Sequence, residues 1–228
     1  MKNSRTLILT LVALSFCASI QAQKNNQHFT GSQAANVCKG AKQLTINEKR
    51  NTISFIRLQE TQNISETNSK DWLKKDVLKA RADDNLIQYK QFNDKIGMSH
   101  IRNRQHYKGV PVEYGVYYVH SMAGKVQSAN GEWYEGINIS VTPSLNAKQA
   151  YDNACKYMNA KTWWHAEEEV DNNKLMILPV DDEYKLIYKC DVSSLVPRDR
   201  QWIYVDAQNG SIVKTESRIH HTDVEGTA

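Results

Sequence analysis

Long hydrophobic runs are missing after residue 20, so no downstream segment is predicted to cross a bilayer as a helix. Proline and cysteine are scarce, four of each in 228 residues, and so few cysteines exclude a disulfide scaffold. A dominant charge is missing too: 29 Lys and Arg face 25 Asp and Glu, with no basic run interleaved with aromatics, which argues against nucleic-acid binding. Signatures of chemistry are equally absent. There is no His-Glu-x-x-His, which would set two imidazoles on one helix face around zinc with a Glu as base. There is no Gly-x-Ser-x-Gly and no glycine loop to cradle a phosphate. The chain is therefore expected to carry no catalytic residue, metal ligand or cofactor of its own.

What is present begins with an export pattern. Lys2 and Arg5 precede an apolar run from Leu7 to Ile20 that ends at Gln21-Ala22-Gln23, so residues 1–22 are predicted to be a secretory signal cut after Ala22. The bulky Phe16 argues against a lipid anchor at Cys17. The remaining chain, 23–228, carries a net charge of +2, because the signal removes two of the basic residues and no acidic ones. It is expected to be soluble and exported, with no membrane association. Its three cysteines are odd in number. Cys155 and Cys190 fall on a predicted helix and strand of one unit, and could pair or stay as two core thiols.

Residues 23–50 are rich in Gln, Asn, Lys and Ala without an apolar period, which predicts a mobile leader, with ordered structure starting near Ile53. Ser69 is placed to cap a helix running to Arg81, with Leu73, Val77 and Ala80 on one face. From Leu86 the period becomes two. Val112, Tyr114, Val116, Tyr118 and His120 then share one strand face, with Glu113, Gly115, Tyr117 and Val119 on the other. Asn146 and Gln149 have capping-box spacing and open a helix over 147–158. Strands are predicted over 175–180, 184–192, 201–206 and 211–217, the last two joined at Gln208-Asn209-Gly210. The fold class is α+β: two small units, 51–135 and 140–218, each a helix packed on an antiparallel sheet.

Isolated chemical candidates are weak. His165-Ala166-Glu167-Glu168-Glu169 shares only composition with a zinc motif and reads as an acidic loop. His100 and His106 fall on one strand face but too far apart to share an ion without bending. A Cys155–His165 nucleophile pair has nothing but co-occurrence behind it.

Taken in order, His100, Arg102, Gln105, Tyr107, Gly109, Val110, Pro111, Val112, Gly115, Val119 and His120 form a pattern that closes with Ser128-Ala129-Asn130-Gly131. It resembles the fungalysin/thermolysin propeptide domain. The chain departs from the family at Asn103, where an aromatic is usual, at Arg104, and by one extra residue around Tyr114-Gly115. Trp202, Tyr204, Asp206 and Gly210 sit in a Trp-x-Tyr-x-Asp-Ala-x-x-Gly core that is similar to the PepSY domain. Locally these residues can equally be a turn into a strand and sheet packing.

The resemblance implies a secreted pro-region that acts as intramolecular chaperone and inhibitor of a thermolysin-like zinc metalloendopeptidase. Its partner would be its own peptidase domain, which would hold zinc and calcium and lie beyond this sequence. Residues 219–228 would then be the junction, with Ile219, His220, His221 and Thr222 crossing the catalytic cleft and Asp223 starting the mature enzyme. The alternative is a stand-alone secreted protein that binds or inhibits peptidases in trans. An open reading frame past Ala228 carrying His-Glu-x-x-His would separate the two.

Overall fold

The computed structural model describes residues 26–163 and 173–219. The expected signal, the acidic loop at His165 and the junction residues His220, His221, Thr222 and Asp223 lie outside the described residues.

The expected mobile leader is replaced by ordered structure. Strand β1 (Gln27–Thr30), helix α1 (Gly31–Val37) and strand β2 (Ala41–Asn47) precede β3 (Thr52–Leu58). Ala34, Ala41 and Leu44 are fully buried. The apolar content is low, but β2 is paired on both sides. Register shifts between Ala41 and Gln43 and between Thr45 and Ile46 turn Ala41, Leu44 and Thr45 inward without strict alternation.

The helix expected over 69–81 is shorter and differently wound. A 3-10 turn (Glu66–Asn68) leads into α2 (Ser69–Trp72) and a π turn (Leu73–Val77). Ser65, not Ser69, supplies the cap, its hydroxyl accepting from the Asn68 amide, and Ser69 is buried inside the helix. Trp72, Leu73, Val77 and Leu78 are the buried set, a one-then-four spacing that wider winding accommodates better than an α-helix. Leu78 N–H donates to the Leu73 carbonyl and Lys79 turns left-handed at φ 47°, which ends the helix before Arg81.

Strands β4 (Asp84–Asn93), β5 (Ser99–Tyr107), β6 (Val110–Met122) and β7 (Lys125–Gly131) complete the first sheet. Its antiparallel order is β1-β2-β3-β7-β6-β5-β4. The helical segments fill one face, where Trp72 and Leu73 share a core with Leu44, Ile56, Tyr117, Val119 and Trp133.

After Glu132 the chain runs without regular structure to helix α3 (Ala147–Met158). The capping box at Asn146 and Gln149 forms as expected. A short β8 (Thr162–Trp163) follows, then β9 (Lys174–Val180), β10 (Glu183–Val196), β11 (Asp199–Asp206) and β12 (Ile212–Ser217) as an antiparallel meander. Ala150, Tyr151 and Ala154 of α3 pack into a core with Ile177, Cys190, Ile203 and Val205. The α+β class with two helix-on-sheet units holds.

The units are not separate bodies, however. Tyr107, Val112, Tyr134 and Ile137, from the first unit and the connection, lie in the core of the second. Val112 also pairs parallel with Ile177. The uniform alternation expected along 112–120 breaks for the same reason. Residues 112–115 bulge opposite Gln105, between the Arg104–Val116 and His106–Pro111 pairs, with Tyr114 at φ 63°. Past the bulge Tyr117 and Val119 point inward and Tyr118 and His120 outward. Before it Val112 and Glu113 are both buried, against the second unit.

Candidate functional site

Strand β5 divides its residues between two faces, and that division separates structural from available side chains. Ile101, Asn103, Gln105 and Tyr107 are buried, while His100, Arg102, Arg104 and His106 alternate on the other face. Gln105 is fully buried: its Nε2 donates to the Tyr134 carbonyl at 2.7 Å and its Oε1 accepts from the Tyr134 amide at 2.9 Å. Gly115 lies flat on that side chain, where a Cβ would come within 2.9 Å of it. At Gly131 a Cβ would run into the Val116 carbonyl. Lys108 and Gly109, both left-handed, make the tight turn that returns Val110 and Pro111 alongside Tyr107 and His106. Gln105, Tyr107, Gly109, Val110, Pro111, Val112, Gly115, Val119 and Gly131 therefore build the hairpin and anchor the connection.

The outward set makes a different surface. His100 and His120 oppose each other on β5 and β6 with their Nδ1 atoms 2.6 Å apart. Asp94 accepts from His100 Nε2 at 3.1 Å, and the Asn130 side-chain oxygen accepts from His120 Nε2 at 2.6 Å. The four side chains thus form one hydrogen-bonded line, Asp94–His100–His120–Asn130, across β5, β6 and β7. The His100 hydrogen bond, ahead of those from Met98 and Ile96, holds Asp94 below its ordinary value. Next to this line the Arg102 guanidinium lies between the Phe92 and Tyr118 rings, at 5.3 and 5.2 Å. Arg104 sits over Tyr89 at 5.2 Å. Neither arginine meets a carboxylate among the described residues.

This surface borders the other face of the second sheet, where Met176, Leu178, Ile187 and Tyr204 form a buried cluster. Trp202 and Tyr204 lie there, on the side away from α3, beside Lys189 at 4.6 and 5.3 Å from the two rings. Glu113, carried across by the β6 bulge, pairs with Lys189 and accepts from the Tyr204 hydroxyl. Tyr114 donates to Glu216 at 2.6 Å and accepts from Lys214 at 2.8 Å. Burial pushes Glu216 up, but hydrogen bonds from Lys214, Tyr114 and Tyr204 bring it down to about 2. Asp191 likewise stays below its ordinary value against burial, held by Arg200 and Arg218. Asp206 and Gly210 are elsewhere. The Asp206 carboxylate accepts from the Gln208 and Asn209 amides at the β11–β12 turn, and Gly210 fits against Asn153 of α3. Ile219 follows β12, its amide donating to Ser217 Oγ.

Other candidates are dispersed. His106 donates to the Arg104 carbonyl, six residues along from His100, and burial lowers its affinity for a proton. No disulfide forms among the described residues, and burial pushes the Cys190 thiol up to about 12. No three His, Cys, Asp or Glu side chains among them are grouped to hold a metal, and none of their helices is long and apolar enough to cross a membrane. The reading from sequence missed Arg104, Glu113, Tyr114 and Lys189. Arg104 was available from its alternation with His100 and Arg102. The other three join the site only through the bulge, which leaves no periodic signal.

The division of β5 and β6 into buried and outward halves spans the stretch that a family model matches. Residues 84–132 carry the Fungalysin/Thermolysin Propeptide Motif. The likeness to the pro-region of a thermolysin-like peptidase extends beyond this propeptide motif. Bacillolysin of Bacillus amyloliquefaciens is 27% identical over 178 residues, covering 74% of this chain and 34% of that protein. Bacillolysin of Bacillus subtilis (strain 168) is 25% identical over 171 residues, covering 69% and 32%. The chain thus spans about a third of the length of the curated relatives it matches. Among solved structures, the Bacillus megaterium YpeB C-terminal domain aligns over 87% of this chain and 91% of its own, at 14% identity and a TM-score of 0.38.

Proposed function

We propose that this chain works as a secreted pro-region that helps a thermolysin-like zinc metalloendopeptidase to fold and keeps it inactive until the two are separated. One observation carries the reading. The propeptide motif spends most of its residues holding the hairpin together and aims four, His100, Arg102, His120 and Asn130, outward on the sheet face away from the helices. Arg102 in particular holds a charge that no carboxylate among the described residues meets, which folding alone does not call for. Zinc and calcium would be held by the peptidase domain, and the work of this chain is binding. A tethered inhibitor faces its target at about millimolar effective concentration, so modest contacts suffice until cleavage makes the encounter bimolecular. The second unit, PepSY-like in its Trp202–Gly210 segment, adds exposed Lys174 and half-buried Trp202 to the same surface, and the chain from Ile219 onward leads to the peptidase.

The test is refolding of the denatured cognate peptidase domain with the purified chain added in trans. Recovered activity should rise with added chain when the chain is later digested away, and native peptidase should be inhibited. Arg102→Ala should weaken inhibition by about tenfold or more, since it removes a charged, stacked contact, without moving the chain's own unfolding midpoint. Refolding and activity both indifferent to the wild-type chain would sink the reading.

A further inference from the structure

At the seam between the two units lies a half-open cavity of about 360 Å³ lined by Arg104, Glu113, Lys174, Met176, Lys189, Asp191 and Trp202. Its two acidic groups are already matched, Glu113 by Lys189 and Asp191 by Arg200 and Arg218. Its cations are in excess. Lys174 stands directly opposite Lys189 on neighbouring strands, a like-charge pairing that costs stability unless an anion joins it, and Lys174 has no carboxylate among the described residues. Arg104 has none either. The Nε atoms of Arg104 and of Arg102 are buried without a hydrogen-bond partner, an arrangement proteins seldom leave unfilled. Trp202 supplies an apolar wall, with Met176 beside it.

Arg102 and Arg104 are two residues apart on one strand face and lead into this cavity, so their spacing is one strand repeat, roughly 6.6–6.8 Å. An extended peptide repeats at the same distance. Planar guanidinium forks match carboxylates in pairs, and aromatic rings pre-orient both forks here. We propose that the seam cavity, with Arg102 and Arg104 leading to it, receives an extended acidic segment of the partner peptidase whose side-chain carboxylates recur at every second residue. The inference rests on the docking reading above and specifies the chemistry of the partner surface.

The experiment titrates the full chain with the blocked peptide acetyl-Glu-Ala-Glu-Ala-Glu-amide and its all-Gln counterpart, read by calorimetry. The acidic peptide should bind, the Gln peptide should bind at least about tenfold more weakly, and raising salt from about 50 to about 500 mM should weaken the acidic one. Arg104→Gln with Lys174→Gln should cost about tenfold or more, whereas Lys156→Gln with Lys161→Gln, the same loss of two charges at exposed positions, should cost nothing. Should the double variant unfold, Lys174→Gln alone, at an exposed position, must still weaken binding. Equal binding of both peptides overturns the proposal, as does no binding of the acidic peptide at millimolar concentration. It is also overturned if a neutral peptide with a free C-terminal carboxylate binds better, or if a heparin oligosaccharide binds more tightly than the peptide. A chain that inhibits the peptidase yet ignores the acidic peptide loses this inference and keeps the docking reading.

Discussion

Gln105 shows how a residue inside the motif can be wholly structural. Its amide satisfies both the N–H and the C=O of Tyr134, 29 positions away, and so fixes where the chain leaves the first sheet. Leucine has similar bulk but no polar atoms, and would leave both backbone groups buried and unpaired. Gln105→Leu should therefore lower the unfolding free energy by about 2–4 kcal/mol in urea titration. An unchanged midpoint would mean that water reaches Tyr134. Arg102, three positions earlier, touches only side chains that are themselves partly open, so its removal should act on binding and leave stability alone.

Among the elements, the N-terminal hairpin is where composition misled. Gln, Asn and Lys between residues 23 and 50 suggest disorder, yet β2 is paired on both edges and buries Ala41 and Leu44 completely. Ala41 and Leu44 are three apart, brought to one face by a register shift, so neither a period of two nor composition averaged over 28 positions reveals the strand. Deleting residues 26–47 should expose Ile56 and unfold the first unit, visible as loss of dispersed amide signals and of a cooperative urea transition. A shortened chain that melts like the full one would restore the mobile-leader reading. Helix α3 is the opposite case: its capping box and its Ala150–Ala154 stripe are local, so the sequence pattern and the structure agree there.

Across the whole chain, one strand serves both sheets. The bulge in β6 carries Glu113 and Tyr114 over the second sheet, where Tyr114 and Tyr204 converge on Glu216. Glu216 is held near 2 in the folded chain, below its ordinary 4.5. Its contribution to stability is then fully present above about pH 4.5 and disappears as pH falls toward 2, where the unfolded chain takes up the proton first. The unfolding midpoint of the native chain should fall through this window more steeply than that of Glu216→Gln, with the two curves parallel above pH 5. Parallel curves throughout would mean the cluster does not hold the charge in the folded state.

Signals that repeat over short distances were readable directly: the period-two strands, the capping box, the Gln208-Asn209-Gly210 turn and the ordered propeptide motif all rest on neighbours in the chain. They are enough to define the α+β class and the kinship with peptidase pro-regions. Which motif residues face outward, and what they meet, depends on contacts far apart in sequence, such as Lys189 with Glu113 at 76 positions or Tyr114 with Glu216 at 102. No periodicity encodes those contacts. A single bulge at Tyr114 shifts the facing of a whole strand, and only the packing of one sheet against the other makes a left-handed tyrosine worth its strain.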